Sequence, residues 1–336
     1  MNYRKLGCSN LEVSVVGFGG IPVQRIDMNE TKKVIERAEE LGINFIDSAR
    51  GYTVSEELIG EAIEGRRDKW IIATKSMARD KESMARDVEI SLKNFKTDYI
   101  DLYQFHNVRT QEDYDKIMNE NGAYEALLEA KAQGKIGHIG ITSHSMDMLK
   151  IAIESSKFET IMYPYNIVET QANELFRRAK ELNIGVIAMK PMAGGNLEDG
   201  SLALKFIFEN ENITTAIPGM ALIEEVEQNA AVGNELKPLT LEERERAHEI
   251  AKELGENFCR RCGYCAPCVK GIDIPSMFVM KGYKTKYNLA SWAEERYFAN
   301  KATAKDCIEC GACEKRCPYD LPIRKMLKEV KKCFNE

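Results

Sequence analysis

Residues 43–63 read INFIDSARGYTVSEELIGEAI, a short apolar run that leads through a polar loop into a segment whose apolar residues recur with helical spacing. The same alternation continues on both sides of this stretch, from residue 13 to about residue 230. Eight of the apolar runs have the length and the β-branched residues of strands: 13–19, 43–48, 70–75, 99–106, 136–142, 160–166, 184–190 and 214–218. This order is typical of parallel strands joined by helices.

The connecting segments predict the fold class. Residues 29–41, 83–95 and 123–133 are amphipathic and long enough to be right-handed crossover helices. Near-continuous apolar strands imply a parallel sheet that is covered on both faces. Eight strand-helix units favour a TIM barrel over an open sheet, and no G-x-G-x-x-G follows the first strand. We therefore predict a TIM (β/α)8 barrel in residues 1–255, with a small hairpin in residues 2–12.

Composition excludes several classes of protein. The chain has 336 residues, and its 47 Lys and Arg against 53 Asp and Glu give a net charge of −6. This balance argues against a nucleic-acid-binding protein. The longest apolar runs fall far short of the roughly 20 residues that a membrane span needs, and the first ten residues, MNYRKLGCSN, contain no apolar signal region. We expect a soluble cytoplasmic protein.

The cysteines mark a second domain. Of ten cysteines, only Cys8 precedes residue 259, so we place a domain boundary near Glu256 and a second domain in residues 256–336. The run CIECGACEKRCP has the C-x2-C-x2-C-x3-C-P spacing of bacterial ferredoxins. The run CRRCGYCAPC has the shorter spacing C-x2-C-x2-C-x2-C. The eight candidate ligands are Cys259, Cys262, Cys265, Cys268, Cys307, Cys310, Cys313 and Cys317.

Two 4Fe-4S clusters are the favoured occupants of these cysteines. In two-cluster ferredoxins the fourth cysteine of each run binds the other cluster, which would exchange Cys268 and Cys317 between the runs. The shortened first run leaves this exchange open. The 38 residues between the runs, 269–306, have helical character, and the whole region resembles helical dicluster ferredoxin domains. Structural zinc is the alternative, although two cysteine triplets suit cubane clusters better. Cys8 and Cys333 are expected to be ordinary thiols.

Four ionisable residues fall at or just after predicted strand ends. Asp47 ends the second strand, Tyr52 lies in the following loop, Lys75 ends the third strand, and His106 ends the fourth. Active-site residues of TIM barrels come from the carboxyl ends of the strands. We therefore expect these four side chains to converge on one rim of the barrel.

The segments FIDSARGY (45–52), IIATK (71–75) and LYQFH (102–106) resemble the catalytic tetrad of the aldo-keto reductases. The resemblance extends over about residues 1–255, and a branch of that family carries a C-terminal ferredoxin-like domain. It implies that Tyr52 is a proton donor, that Lys75 and Asp47 adjust the pKa of Tyr52, and that His106 polarises a carbonyl.

Elementary chemistry supports the same roles. Hydride addition to a carbonyl produces an alkoxide, which needs a proton from a group of suitable pKa. A phenol has an ordinary pKa of about 10, and the ammonium group of Lys75 would lower it by favouring the phenolate of Tyr52. Burial would favour loss of the proton from Lys75, so Asp47 is needed to keep it charged.

The family resemblance also implies a nicotinamide dinucleotide across the rim. The segments KPMAGG (190–195) and IPGM (217–220) are compatible with close approach of its phosphates. The implied contact residues are Ser143, His144, Met162, Met189, Lys190, Gly194, Gly195, Gly219, Glu225 and Asn229. Several of them depart from the family pattern: methionines stand at 162 and 189, His144 replaces an Asn, and Glu225 replaces an Arg. Because Glu225 would repel a 2′-phosphate, NADH is favoured over NADPH as the form of NAD(P)H used.

The sequence thus favours an oxidoreductase that reduces an aldehyde or ketone, coupled to or regulated by two clusters. Hydride transfer moves two electrons at once, whereas a cluster moves one. The clusters are therefore either structural or redox-sensing, or they connect the barrel to a one-electron partner, a ferredoxin or flavoprotein, through a flavin if one binds at the barrel mouth. The alternative is a non-catalytic redox sensor or electron-transfer subunit that uses the barrel to bind a nucleotide or a partner.

Overall fold

The computed structural model describes all of residues 1–336, which divide into two compact units. The first comprises Met1–Asn166, Thr170–Pro191 and Asp199–Leu239. The second comprises Thr240–Glu336 together with two short loop segments, Ile167–Glu169 and Met192–Glu198. No helix combines the length and the apolar composition that a membrane-spanning segment requires.

The first unit is a closed barrel of eight parallel strands, preceded by a two-stranded hairpin. The strands are β1 (Tyr3–Lys5), β2 (Glu12–Ser14), β3 (Phe18–Gly19), β4 (Phe45–Asp47), β5 (Ile71–Ser76), β6 (Ile100–Phe105), β7 (Ile136–Thr142), β8 (Thr160–Pro164), β9 (Gly185–Met189) and β10 (Thr215–Ala216). Strands β3 to β10 pair in chain order. Parallel bridges join Val16 to Ala216 and Gly19 to Gly219, which closes the sheet. The predicted TIM barrel is confirmed.

Nine helices belong to the first unit. They are α1 (Met28–Glu40), α2 (Ser55–Ala62), α3 (Lys81–Asn94), α4 (Gln111–Met118), α5 (Ala123–Ala132), α6 (Met146–Glu154), α7 (Asn173–Glu181), α8 (Gly200–Phe208) and α9 (Ile223–Asn234). Three of them, α1, α3 and α5, are the crossovers predicted at 29–41, 83–95 and 123–133. Asp27, Asp80, Thr110, Ser145 and Asp199 cap five of them by accepting a backbone N–H bond. Most of the buried apolar side chains lie between these helices and the strands.

The hairpin closes the amino-terminal end of the barrel. Strands β1 and β2 pair antiparallel, and Leu6 and Val13 are fully buried in the cluster that fills the barrel interior. Gly7 has φ +57°, and a Cβ there would lie 2.2 Å from the backbone nitrogen of Gly185, so no other residue fits without a backbone shift. The expected strand at 13–19 is divided in the structure, because Val13 and Ser14 pair with β1, whereas the residues from Val16 onward join the barrel through the bridge to Ala216 and through β3.

The second unit is helical. Its helices are α10 (Leu241–Gly255), α11 (Ile274–Thr285), α12 (Ala290–Phe298), α13 (Ala312–Lys315) and α14 (Ile323–Cys333). The Thr240 hydroxyl caps α10 by accepting a bond from the Glu243 amide, and the Glu243 carboxylate accepts a bond from the Thr240 amide, so the two residues form a capping box. The expected boundary between residues 255 and 256 stays a prediction, and α10 lies within the second unit.

The core of the second unit is small and contains cysteines. Tyr297 is fully buried and stacks on Phe334, with ring centroids 3.8 Å apart. The Tyr297 hydroxyl accepts a bond from the Ala304 amide at 3.0 Å and donates to Glu336 at 2.7 Å. Cys265 and Cys313 are buried in the same apolar cluster. The two cysteine runs are therefore held by one core.

Candidate active site and cysteine centre

The barrel interior changes from apolar to polar over a single layer. Phe45, Ala73 and Leu102 belong to the apolar cluster inside the barrel. Side chains on a strand point to the same face every second residue, so Asp47, Lys75 and Gln104 form the next layer toward the carboxyl ends of β4, β5 and β6. All three are buried, with exposed fractions of 2%, 2% and 0%. This polar layer forms the floor of the candidate site.

Lys75 and Asp47 form a buried ion pair. The Lys75 ammonium donates to the Asp47 carboxylate and, at 2.7 Å, to the Ser48 carbonyl oxygen. Gln104 Nε2 donates to the second oxygen of Asp47 at 3.1 Å. Burial raises the pKa of the Asp47 carboxyl, and the Lys75 ammonium opposes that shift. The pair holds a positive charge in place at the base of the site.

Tyr52 and His106 complete the predicted tetrad. The Lys75 ammonium lies 5.1 Å from the centroid of the Tyr52 ring. The rings of Tyr52 and His106 meet edge to face, with centroids 6.0 Å apart. Both side chains are partly exposed, in contrast to the ion pair beneath them. The structure thus brings Asp47, Tyr52, Lys75 and His106 together at one end of the barrel.

The surroundings of His106 favour the neutral form of its imidazole. Burial holds the pKa of its imidazole well below the ordinary value of 6.5, and the nearby charges of Lys75, Arg79 and Lys190 lower it further. Its buried Nδ1 has no hydrogen-bond partner. A neutral imidazole donates one N–H bond, so His106 can polarise an oxygen without transferring a full positive charge.

Two residues of the site were missed by the sequence analysis. Gln104 bonds Asp47, and its place in LYQFH, two residues before His106, signals an inward-facing polar residue. Arg79 lies after β5, and its guanidinium donates to the carbonyl oxygens of His106 at 2.8 Å and Asn107 at 3.3 Å. Arg79 therefore fixes the backbone that carries His106, a role for which the sequence contains no signal.

Three of the implied nucleotide contacts lie on or directly after β8 and β9 of the first unit: Met162 on β8, Met189 at the end of β9 and Lys190 after it. Met162 is fully buried in the barrel interior, and Met189 packs against the same cluster while remaining partly exposed. Lys190 is partly exposed, and its charge reaches His106. Its backbone oxygen accepts a bond from Asn166 Nδ2 at 3.0 Å. Met189 and Lys190 are therefore available near the tetrad, whereas Met162 belongs to the apolar layer.

The implied nucleotide contacts that follow β7 and β9 differ in burial and in the unit to which they belong. Ser143 is buried, and its hydroxyl donates to the Val108 carbonyl oxygen at 2.7 Å, while the adjacent His144 is partly exposed. Gly194 and Gly195 have φ +68° and +80° and belong to the second unit. A Cβ on Gly195 would lie 3.1 Å from Lys286 Cβ, so the glycine permits close packing there.

The loop before α9 already contains a bound carboxylate. Glu225 accepts bonds from the amides of Ala221 at 2.7 Å and Leu222 at 3.1 Å. Such amides at the start of a helix are the groups that bind phosphate in other proteins. Gly219 is exposed nearby in the chain, and Asn229 is buried one turn further along α9. The carboxylate of Glu225 therefore occupies donors that a phosphate would otherwise use.

The second cysteine run lines a pocket together with one cysteine from the first run. The pocket wall contains Cys268, Cys307, Cys310 and Cys313. Gly311, between two of these ligands, has φ +73° and lets the chain turn around the pocket. Four sulfurs around one space fit the donor set of a cubane cluster.

Three of the other four cysteines, Cys259, Cys265 and Cys317, pack in or against the apolar core of the second unit. The pKa of Cys262 is raised by burial and, in smaller part, by the neighbouring Cys317. Cys265 is buried and interacts electrostatically with both Cys259 and Cys262. Cys8 is exposed, and Cys333 lies partly buried at the end of α14.

A charged pair lies next to Cys259 in the first cysteine run. Arg261 donates to the Cys259 carbonyl oxygen at 3.2 Å, and its side chain forms an ion pair of 2.5 Å with Glu169, which is fully buried. The guanidinium of Arg260 lies 4.1 Å from the ring centroid of Tyr319. These contacts fix the loop between Cys259 and Cys262.

Comparison with known proteins agrees with this geometry. Residues 15–201 match the aldo/keto reductase family, and residues 258–322 match a 4Fe-4S dicluster domain. An uncharacterized oxidoreductase of Bacillus subtilis, YqkF, is 33% identical over an alignment of 216 positions that covers 60% of this chain and 68% of the relative. L-galactose dehydrogenase of Arabidopsis thaliana is 28% identical over 75% of this chain and 95% of its own length.

A solved structure is similar over the same region. The holo form of the aldo-keto reductase AKR11C1 from Bacillus halodurans superposes with a TM-score of 0.65 at 29% identity. The match covers 75% of this chain and 96% of that structure. Sequence and backbone therefore indicate the same family for the barrel.

Proposed function

Because the chain belongs to the aldo/keto reductase family and carries a 4Fe-4S dicluster domain, we propose that it reduces an aldehyde or ketone by hydride transfer from NAD(P)H, with Tyr52 as the proton donor. Its family makes it an oxidoreductase of the aldo-keto reductase type. The observation that carries the proposal is the Lys75–Asp47 pair beneath the Tyr52 ring, with His106 at the ring edge.

The four side chains have distinct tasks. A bound nicotinamide supplies a hydride to the carbonyl carbon. Tyr52 donates its phenolic proton to the carbonyl oxygen as negative charge develops there, and it regains a proton from solvent afterwards. Lys75 stabilises the transient phenolate, and Asp47 keeps Lys75 charged in a buried position. Neutral His106 donates an N–H bond to the same oxygen.

Residues around the site support the use of NADH. Glu225 holds the Ala221 and Leu222 amides, and residues 219–229 contain no Lys or Arg that would bind a 2′-phosphate. Met189 and Lys190 are the residues near the tetrad that would contact the cofactor. Ser143, His144, Met162, Gly194, Gly195, Gly219 and Asn229 stay as expected contacts.

Two sets of cysteines are proposed as cluster ligands. One set is Cys259, Cys262, Cys265 and Cys317, and the other is Cys268, Cys307, Cys310 and Cys313. The pocket lined by the second set supports the exchange of fourth ligands between the runs, as does the proximity of Cys262 and Cys317. Clusters bound there would pass single electrons to or from a ferredoxin or flavoprotein. The cytoplasm, where thiols stay reduced, is the compartment that suits this chemistry.

Anaerobic stopped-flow mixing with NADH or NADPH tests the proposed reaction. We expect oxidation of NADH that depends on an added aldehyde, and faster reaction with NADH than with NADPH. If neither nucleotide reduces an aldehyde or bleaches the visible spectrum of the clusters, hydride chemistry is excluded. The barrel would then serve as a binding module of a redox sensor.

A further inference from the structure

An exposed apolar patch lies against the pocket lined by Cys268, Cys307, Cys310 and Cys313. Val269 and Ile308 line this pocket, yet 68% and 61% of their surfaces face solvent. Cys310 is itself exposed. A buried cluster that exchanged no electrons would need neither feature. The pocket is therefore open to a partner on the side where apolar side chains meet solvent.

Basic side chains surround the patch. Lys270, Arg316 and Arg324 line the same pocket. Arg316 clamps the first cysteine run by donating to the carbonyl oxygens of Ala266 at 3.1 Å and Pro267 at 2.8 Å. Arg324 pairs with Glu314, whereas Lys270 is exposed and makes no ion pair. We call Val269, Lys270, Ile308, Arg316 and Arg324 the cluster face.

Charge is distributed unevenly along the chain. Residues 256–336 contain 16 Lys and Arg against 10 Asp and Glu, a net charge of +6, whereas residues 1–255 contain 31 against 43, a net charge of −12. An oxidised cluster with four thiolates contributes about −2, so the cysteine region with two clusters would still be positive. A positive face around a redox group favours encounters with a negative partner.

We propose that the cluster face is the docking surface for a small acidic protein that carries one electron at a time. The proposal rests on the clusters of the proposed function. In each encounter the reduced carrier would lose one electron, and a cluster held by Cys268, Cys307, Cys310 and Cys313 would accept it; transfer in the reverse direction would return the electron to an oxidised carrier. Val269 and Ile308 exclude water at the centre of the contact, and the cations orient the carrier.

The test uses an acidic flavodoxin in its fully reduced form as the probe. Full-length protein with assembled, oxidised clusters is mixed with it anaerobically, and the flavin absorbance reports the transfer. The second-order rate constant should fall as salt is added. At low salt Lys270→Glu should lower it about fivefold or more, and Val269→Ser should lower it at all salt concentrations. Lys252→Glu, the same charge change at an exposed lysine on α10, should leave it unchanged.

Several results would overturn the proposal. The electron-transfer rate constant could be the same for Lys270→Glu and the parent protein, or it could be independent of salt. The protein could also react equally fast with the basic carrier cytochrome c. Inhibition by an equimolar short DNA duplex would identify the face as a nucleic-acid site instead. Reduction by dithionite, which needs no docking, must be equal in all variants. If the protein bound no clusters, iron and the visible cluster spectrum would be missing before mixing. That result is distinguishable from a failure of docking, in which both are present but the rate constants do not change.

Discussion

Asp47 and Lys75 act as one unit, because each is only 2% exposed and each would be an isolated charge without the other. Their positions followed from the sequence, since each ends a strand in a recognisable βα repeat. Gln104 was missed because a neutral side chain two residues before His106 has no motif of its own. Arg79 could not be predicted at all, since its bond to the His106 carbonyl oxygen depends on how a loop folds back.

Lys75→Met should cost about 3–5 kcal/mol of unfolding free energy, because it leaves the Asp47 carboxylate buried without its partner. Urea denaturation measures this cost. The matched control is the double variant Asp47→Leu/Lys75→Met, which should recover most of the stability while remaining inactive. A single variant as stable as the parent would show that the pair is not needed to compensate a buried charge.

His106 should make stability depend on pH. Its pKa in the folded protein lies well below 6.5, so between that value and pH 6.5 the unfolded chain binds more protons than the folded one. Stability should therefore decrease as the pH falls below about 6.5. Urea denaturation at about pH 7.5 and about pH 5.5 should show a smaller decrease in His106→Gln than in the parent protein. The same decrease in both proteins would contradict a lowered pKa of the His106 imidazole.

Some helix ends can be predicted from the sequence, and others cannot. Thr240 and Glu243 have the three-residue spacing of a capping box, and the structure contains both of its hydrogen bonds at the start of α10. The capping carboxylate of α9 was not foreseen, because Glu225 was considered only as a replacement for a phosphate-binding Arg. The residues VSVV at 13–16 suggested one strand, and only the pairing with β1 shows where the hairpin ends and the barrel begins.

Glu225→Arg should change the preference between nucleotides. It frees the amides of Ala221 and Leu222 and adds a cation at the position where the family pattern has an Arg for the 2′-phosphate. The ratio of kcat/KM for NADPH to that for NADH should rise about tenfold, the effect of one charge-assisted contact. Steady-state kinetics with both nucleotides measures it. Glu224→Arg makes the same charge change at the adjacent exposed residue and should leave the ratio unaltered; an equal rise there would exclude a specific role for Glu225.

The two compact units combine two kinds of redox chemistry in one chain. Their family identities were predictable, because strand-end residues and cysteine spacing each carry a strong local signal. The sequence does not predict that Gly194 and Gly195 belong to the second unit. They follow β9 in the chain, but the structure groups them with the cysteine region. Adjacency in the chain does not reveal which core a loop packs against.

Cys268→Ala should remove one cluster and leave the barrel reaction intact. Iron content should fall from about eight to about four atoms per chain, because the proposed assignment makes Cys268 the fourth ligand of the cluster that Cys307, Cys310 and Cys313 would bind. Aldehyde-dependent oxidation of NADH should persist, since hydride transfer moves both electrons without a cluster. Cys333→Ala is the control and should keep the full iron content. Complete loss of iron in Cys268→Ala would indicate that the two clusters assemble only together, and unchanged iron would remove Cys268 from the ligands.

The most direct measurement compares Tyr52→Phe with the parent protein in single turnovers, with NADH and an aldehyde in an anaerobic stopped-flow instrument. The variant keeps the ring against Lys75 and His106 and removes only the hydroxyl. We predict that NADH oxidation slows by a factor on the order of a hundred or more, while the visible spectrum of the clusters stays the same. Equal rates in the two proteins would contradict the assignment of Tyr52 as the proton donor.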